Sequence, residues 1–292
     1  MKNTKAKLSI ILSMVIFGTI GIFRRYIPLP SELLACARGI IGSLVILLSI
    51  FLSGKRIAID AVKKNIVMLC LSGAFIGVNW ILLFEAYRYT TVATATLCYY
   101  MAPIFIIIAS PIVLKERLTL KKIACVAVAL FGMVLVSGIL NTGFSGLSEL
   151  TGIVLGLGAA LFYATVILMN KRIHDIPPAD KTMIQLASAA IVVLPYTVFA
   201  ENLSEVIFSP ISVVMLIFVG IVHTGFAYVL YFGSLDNLKA QTAALFSYID
   251  PVVAIILSAV VLKEKIGIAE IVGAALVLGS TMVSELTDSK GK

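Results

Sequence analysis

Residues Thr94–Arg117 read TATLCYYMAPIFIIIASPIVLKER, and residues Thr242–Lys265 read TAALFSYIDPVVAIILSAVVLKEK. Sliding the chain by 148 residues lays one stretch on the other with 12 identities in 24 positions. Chance matches among Leu, Ile and Val explain some of these. They do not explain Tyr100/Tyr248, Pro103/Pro251 and Lys115-Glu116/Lys263-Glu264 occurring together. The same offset pairs Gly77 with Gly225, Trp80 with Tyr228 and Phe84 with Phe232. The chain repeats itself, and each quoted stretch is long and apolar enough to be a membrane helix.

Outward from these stretches, apolar runs fill the chain at approximately 8–23, 33–53, 65–87, 92–114, 122–140, 151–170, 182–200, 211–233, 241–262 and 266–285. Of the 292 residues, 60% are hydrophobic and 13% charged, and mean hydropathy is +1.09. A soluble domain carries roughly 25% charged residues to cover its surface, so this chain is expected to fold in lipid. Ten crossings at about 20 residues each use roughly 200 residues and leave short loops. The expected fold is an all-α membrane protein of ten helices in two halves, 1–145 and 146–292. Five helices per half is an odd number, so the halves cross in opposite directions. Inverted repeats of this kind are characteristic of secondary transporters.

Lys2, Lys5 and Lys7 precede the first apolar run in the manner of a signal peptide. Arg24, Arg25 and Tyr26 follow it where a small-residue cleavage site would stand, so it reads as a retained helix. Placing the N-terminus inside puts seventeen Lys and Arg residues on the cytoplasmic side and five outside, with Arg38 left within a helix. The positive-inside rule therefore sets both termini in the cytoplasm and Glu149 outside.

The net charge of +8 sits in small clusters between apolar runs. It lacks the basic, aromatic-interleaved stripe of a nucleic-acid surface, so no nucleic-acid partner is expected. Cys36, Cys70, Cys98 and Cys125 lie inside apolar runs without CxxC or metal-ligand spacing, which reads as packing. No metal or cofactor is expected. An intramembrane lipid-modifying enzyme is the remote alternative. It would need a nucleophile–base or metal cluster, and the chain has two histidines with no HExxH or GxSxG.

With the repeat and these motifs in view, the chain resembles the drug/metabolite transporter superfamily, in its ten-helix EamA-type branch. The most specific pieces are AYRYTTVATATLCYYMAPI at Ala86–Ile104, LKERLTLKK at Leu114–Lys122, their echoes in the second half, and Arg38 early in the second helix. The resemblance implies a 5+5 bundle in a bacterial or archaeal plasma membrane. It also implies a central cavity near the midplane, built by helices 1, 3, 4, 6, 8 and 9. The cargo it implies is a small organic metabolite carried unchanged, most directly an amino acid or a relative moved outward. One departure is the missing tryptophan that relatives carry near Phe17. Importing an amine or quaternary ammonium such as choline is the alternative.

Several residues bear on transport. Pro103 and Pro251 sit mid-helix, where proline removes a backbone hydrogen bond; they read either as hinges or as static kinks. Lys115-Glu116 and Lys263-Glu264 close helices 4 and 9 and read either as gate ion pairs or as capped helix ends. Trp80, Tyr99, Tyr100, Tyr163, Tyr228 and Tyr248 are candidate substrate-binding aromatics, able to stack on a planar group or hold an ammonium. Asn79 joins them as a polar group deep in helix 3. His223 is a candidate proton relay or an interhelical hydrogen-bonding group. Arg38 is expected to pair with Glu85, which could instead pair with Arg88 at i, i+3. Asp250 stands apart because its repeat partner is Ala102. A carboxylate at bilayer depth generally faces a bundle interior or a wet cavity. It is the candidate to hold a substrate ammonium, carry a coupling proton, or do both in turn.

Overall fold

Inside a bilayer every backbone N–H and C=O must find its partner within its own segment or a closed barrel, so apolar runs of this length can only be helices or barrel strands. The computed structural model describes residues 2–137, 147–200, 208–263 and 267–290, and those residues form helices and short connections with no strand. The helices are α1 (Lys2–Gly18), α2 (Ile20–Arg24), α3 (Ser31–Leu52), α4 (Ile59–Tyr89), α5 (Val92–Tyr99), α6 (Ala102–Val113) and α7 (Leu120–Val136) in the first half. The second half has α8 (Leu147–Asn170), α9 (Pro178–Ala200), α10 (Pro210–Val219), α11 (Ala227–Leu235), α12 (Ala240–Phe246), α13 (Ile249–Leu262) and α14 (Ile268–Lys290). A π-helical turn over Gly220–Phe226 joins α10 to α11.

Joined end to end where they continue one another, these give eight spans long and apolar enough to cross a membrane. The apolar part of α14, Ile268–Ser284, is shorter, and it packs along α7 to complete the two sets of five. α1 packs against α11 and α13, so the first apolar run is an integral part of the bundle. The outer surface is apolar: Leu48, Leu52, Ile112 and Phe199 are all exposed. An apolar surface of that extent marks a lipid-facing protein.

Lipid gives no hydrophobic drive between helices, so small residues that allow close backbone approach hold such bundles together. Gly73 on α4 shows the constraint: a Cβ there would collide with the Gln185 carbonyl oxygen of α9. Nearby, the Gln185 amide donates to Ser72 Oγ at 2.6 Å and to Asn170 Oδ1 at 3.3 Å, tying α4, α8 and α9 through a buried polar network.

The fourth and ninth crossings are each broken in the middle. α5 ends at Tyr99 and α6 begins at Ala102; α12 ends at Phe246 and α13 begins at Ile249. α5 and α12 start at repeat-related residues, Val92 and Ala240. Pro103 and Pro251 lie in the first turn of α6 and α13. The first turn is where a missing N–H costs least. The prolines therefore start the second half-helix rather than interrupting an intact one, which corrects the expectation of a continuous helix with a proline in mid-run.

A candidate transport site at the two helix breaks

The breaks meet. The Tyr248 hydroxyl donates to the Tyr100 carbonyl oxygen at 3.1 Å, so the break of one repeat hydrogen-bonds to the break of the other. Beside them lies a cavity of about 210 Å³. Drug-sized ligand sites run roughly 300–1,000 Å³, so this one suits a small metabolite. Its lining comes from α1 and α2 (Met14, Phe17, Ile20), the start of α3 (Ala35, Arg38) and the end of α4 (Trp80, Leu83, Phe84). The two breaks add Tyr99, Tyr100, Ala102, Pro103, Ser247 and Asp250, and α8 and α11 add Tyr163, Tyr228 and Tyr231. Gly18 lets α1 come this close: a Cβ there would lie 2.8 Å from the Asp250 carbonyl oxygen.

The aromatic wall is tightly ordered. Phe17 meets Tyr228 edge-on at 5.2 Å, and Trp80 meets Tyr228 edge-on at 6.5 Å. Tyr163 and Tyr231 stack at 6.5 Å. Buried phenols need partners: Tyr163 donates to the Tyr231 oxygen at 2.7 Å, and Tyr231 shares a 3.3 Å hydrogen bond with Ser247. Asp250 is half-buried at the start of α13. Among the described residues, no hydrogen bond or ion pair to its carboxylate is recorded.

Of the residues singled out in the sequence, Trp80, Tyr99, Tyr100, Tyr163, Tyr228, Asp250 and Pro103 line this cavity. Asn79 lies behind the wall, where its amide donates to the Ala159 carbonyl at 2.6 Å. Tyr248 is fully buried in its bond to the α5–α6 break. Pro251 is buried one residue beyond Asp250. His223 sits in the π-helical turn with Nε2 2.8 Å from Thr19 Oγ1 and its ring edge-on to both Phe23 and Phe218, outside the cavity lining.

The first-choice pairing of Arg38 is not formed, and the alternative given for Glu85 is. Arg38 does not pair with Glu85; its Nε donates to Thr224 Oγ1 at 2.9 Å. Glu85 instead meets Arg88 at 3.2 Å, as its i, i+3 spacing allows, and accepts from the Tyr196 hydroxyl. Arg88 also reaches Glu32 at 3.1 Å, a distance across two helices that no local spacing could reveal. Ser247, Phe17 and Arg38 are lining residues the sequence reading left out of the site. The available signal was Arg38 itself, a cation in an apolar run.

The end of the bundle rich in Lys and Arg is closed by contacts both across the repeats and within the second one. Glu116, just beyond α6, accepts from the backbone amides of Ala240 at 2.8 Å and Gln241 at 3.3 Å, capping the N-terminus of α12. Gln241 donates to Ser110 Oγ at 2.8 Å. Lys171 Nζ reaches the Leu235 and Leu238 carbonyls, each at 2.7 Å, and Lys181 pairs with Asp236 at 2.9 Å. Burial pulls the Lys171 ammonium below its ordinary pKa, opposed by Glu116 and Asp236 nearby. The Lys115-Glu116 pair is thus a cap donated to the opposite repeat. Lys115 and Lys263 share the same left-handed backbone, each with φ of 56°. Glu264, Lys265 and Lys292 lie outside the described residues.

This architecture has known counterparts. A solved crystal structure 20% identical in sequence superposes with a TM-score of 0.86 over 99% of each chain, which establishes the fold. An uncharacterized transporter of Bacillus subtilis (strain 168), YxxF, is 29% identical over all of this chain and 92% of its own length. A probable amino-acid metabolite efflux pump of Salmonella typhimurium (strain LT2) is 28% identical over 59% of this chain and 60% of its own. The EamA-like transporter family matches twice, at residues 4–138 and again at 150–285. The protein is therefore a multi-pass membrane transporter and not an enzyme, and it belongs to the EamA-like transporter family.

Proposed function

We propose that this carrier moves an amino acid or a related small amino metabolite outward by alternating access, with residues 1–145 and 146–292 acting as its two inverted halves. The observation that carries this reading is Asp250: a carboxylate without a recorded protein partner, on the wall of an aromatic cavity where the two broken helices meet. A carboxylate in such a setting attracts a substrate ammonium, and a proton is the other cation it can hold. Exchange of the two at one site would couple transport to the proton gradient. The Salmonella typhimurium relative, a probable amino-acid metabolite efflux pump, supports the choice of cargo and direction.

In this reading Trp80, Tyr99, Tyr100, Tyr163 and Tyr228 enclose the cargo. Asn79 and Tyr248 hold the wall in place, and Pro103 and Pro251 define where the half-helices bend. His223 either relays the coupling proton or serves as an interhelical tie; its bond to Thr19 favours the tie.

The aromatic rings with one acid also favour a second reading, uptake of an amine or quaternary ammonium by cation–π attraction. Oriented proteoliposomes separate the two. Vesicles preloaded with labelled amino acids should release them faster than protein-free vesicles, with a pH gradient accelerating release. Accumulation of labelled choline without any amino-acid release would replace the first reading with the second.

A further inference from the structure

The cavity holds a second charge. Arg38 lies within the first eight residues of α3, well inside an apolar run, and lines the cavity that Asp250 lines. A guanidinium carries five N–H donors and no acceptor. One of them, on Nε, is taken by Thr224, a fully buried hydroxyl presented by the π-helical turn. Turns of this type insert an extra residue and recur at functional sites. With Nε held, the plane of the guanidinium is set. Among the described residues, no carboxylate or carbonyl is recorded against its other four donors.

Other cations of the bundle are finished differently. Lys171 ends on two carbonyls, Lys181 on Asp236, Arg88 on Glu32 and Glu85, and Arg24 on the carbonyls of Ile27 and Leu29. An arginine at membrane depth is tolerated when paired or wetted, and the open space beside Arg38 is the cavity. Tyr228 lines the same cavity and lies within electrostatic reach of both Arg38 and Asp250. The cavity therefore presents a cation and an anion among its aromatic rings.

The geometry points to Arg38 as the anion anchor of the transport site, so that the cavity selects a molecule carrying both an anionic group, held by the guanidinium fork, and an ammonium, held by Asp250. This inference rests on the amino-metabolite reading above and narrows it: a plain amine fills one pole and leaves the other charge without its counterpart. Planar two-pronged recognition of a carboxylate is what arginine does better than lysine. An interaction of that strength corresponds to roughly 10- to 100-fold in affinity.

The test compares congeners that differ by one charge. Purified full-length protein is warmed with phenylalanine, phenethylamine and 3-phenylpropionate, and with leucine, 3-methylbutylamine and 4-methylpentanoate; binding to the native state raises the melting temperature. The wild type should bind each amino acid about tenfold or more tightly than either single-charge congener. Arg38→Gln should erase the advantage of amino acid over amine and keep that over acid, and Asp250→Asn should do the reverse. Arg38→Lys should restore part of what Arg38→Gln loses. Thr224→Val, which leaves the arginine in place but removes the acceptor for its Nε, should weaken the same preference and serves if Arg38→Gln does not fold. An Arg38→Gln or Thr224→Val protein that still prefers amino acid over amine as the wild type does overturns the anion anchor and leaves the amino-metabolite reading standing. A wild type that binds the amines as well as the amino acids also overturns the anchor alone. A wild type stabilised by none of the six compounds overturns both.

Discussion

The broken helices α5–α6 and α12–α13 descend from one repeated motif and begin at residues 148 apart, yet they are completed in different ways. α5 caps itself: Thr91 Oγ1 accepts from the Thr94 amide at 3.1 Å. The residue equivalent to Thr91 is Lys239, which cannot accept, and the cap of α12 comes instead from Glu116 of the other repeat. Every residue of α12 is buried, whereas in α5 only Thr94 and Ala95 are. The lesson is that the repeat supplies a broken-helix frame twice, and the contacts added to one copy bury it and tie it to the other half. The basic end of the bundle, where α12 starts, is tied by inter-repeat bonds, and the cavity lies beside the breaks. The second difference is chemical. Where α6 begins with Ala102, α13 carries Asp250, so only one copy of the frame bears a charge.

The inversion itself is the most exposed part of this comparison. Val92 at the start of α5 and Lys239 at the start of α12 are both exposed and should open on opposite faces of the membrane. In a cysteine-free background, Val92→Cys should react with an impermeant thiol reagent in intact cells and Lys239→Cys should react only after permeabilisation. Equal labelling of both would end the inverted-repeat comparison. Glu149 makes a poor probe for the same purpose, because it is buried at the start of α8.

The chemical asymmetry comes next in size. Asp250→Asn is isosteric and should leave folding within a few degrees of the wild-type melting temperature. Transport in proteoliposomes should fall at least tenfold, roughly the worth of one charge-assisted contact. The dependence of the remaining rate on pH between 6 and 8 should flatten. Normal transport across that range would reduce Asp250 to a packing residue.

The cap asymmetry predicts a smaller change. Glu116→Ala removes an acceptor that satisfies two amide N–H groups, for which loss of a cap costs about 1 kcal/mol. The basic end should open more often, so a cysteine at Ala240, fully buried here, should be labelled roughly fivefold faster. Thr91→Ala, the cap on the other copy, should leave that rate unchanged. Equal effects from both would mean the two ends are closed alike.

The prolines should show the smallest effect and the most symmetric one. Pro103→Ala or Pro251→Ala supplies an N–H able to extend each half-helix across its break, which stiffens it. Each should slow transport about fivefold, the rate equivalent of roughly 1 kcal/mol, with substrate affinity largely kept. Wild-type rates in both variants would mark the prolines as packing features.

The sequence alone determined that the chain is helical and membrane-embedded, because backbone groups in lipid leave few other choices for runs this apolar. It also determined the repeat, the inversion that follows from an odd helix count, and the singularity of Asp250, since each is a relation along the chain. Part of the aromatic wall was legible for the same reason: Tyr100 and Trp80 are themselves repeat-paired positions. Tertiary structure alone decided which of two equivalent tyrosines faces the cavity. Tyr100 lines it, while Tyr248 turns inward to bond the opposite break. It also decided that Arg38 answers to Thr224, 186 residues away, and not to Glu85, and that Glu116 caps a helix more than 120 residues on. Helical spacing assigns a side chain to a face, but the partner that face meets is chosen by the packing of helices distant in sequence.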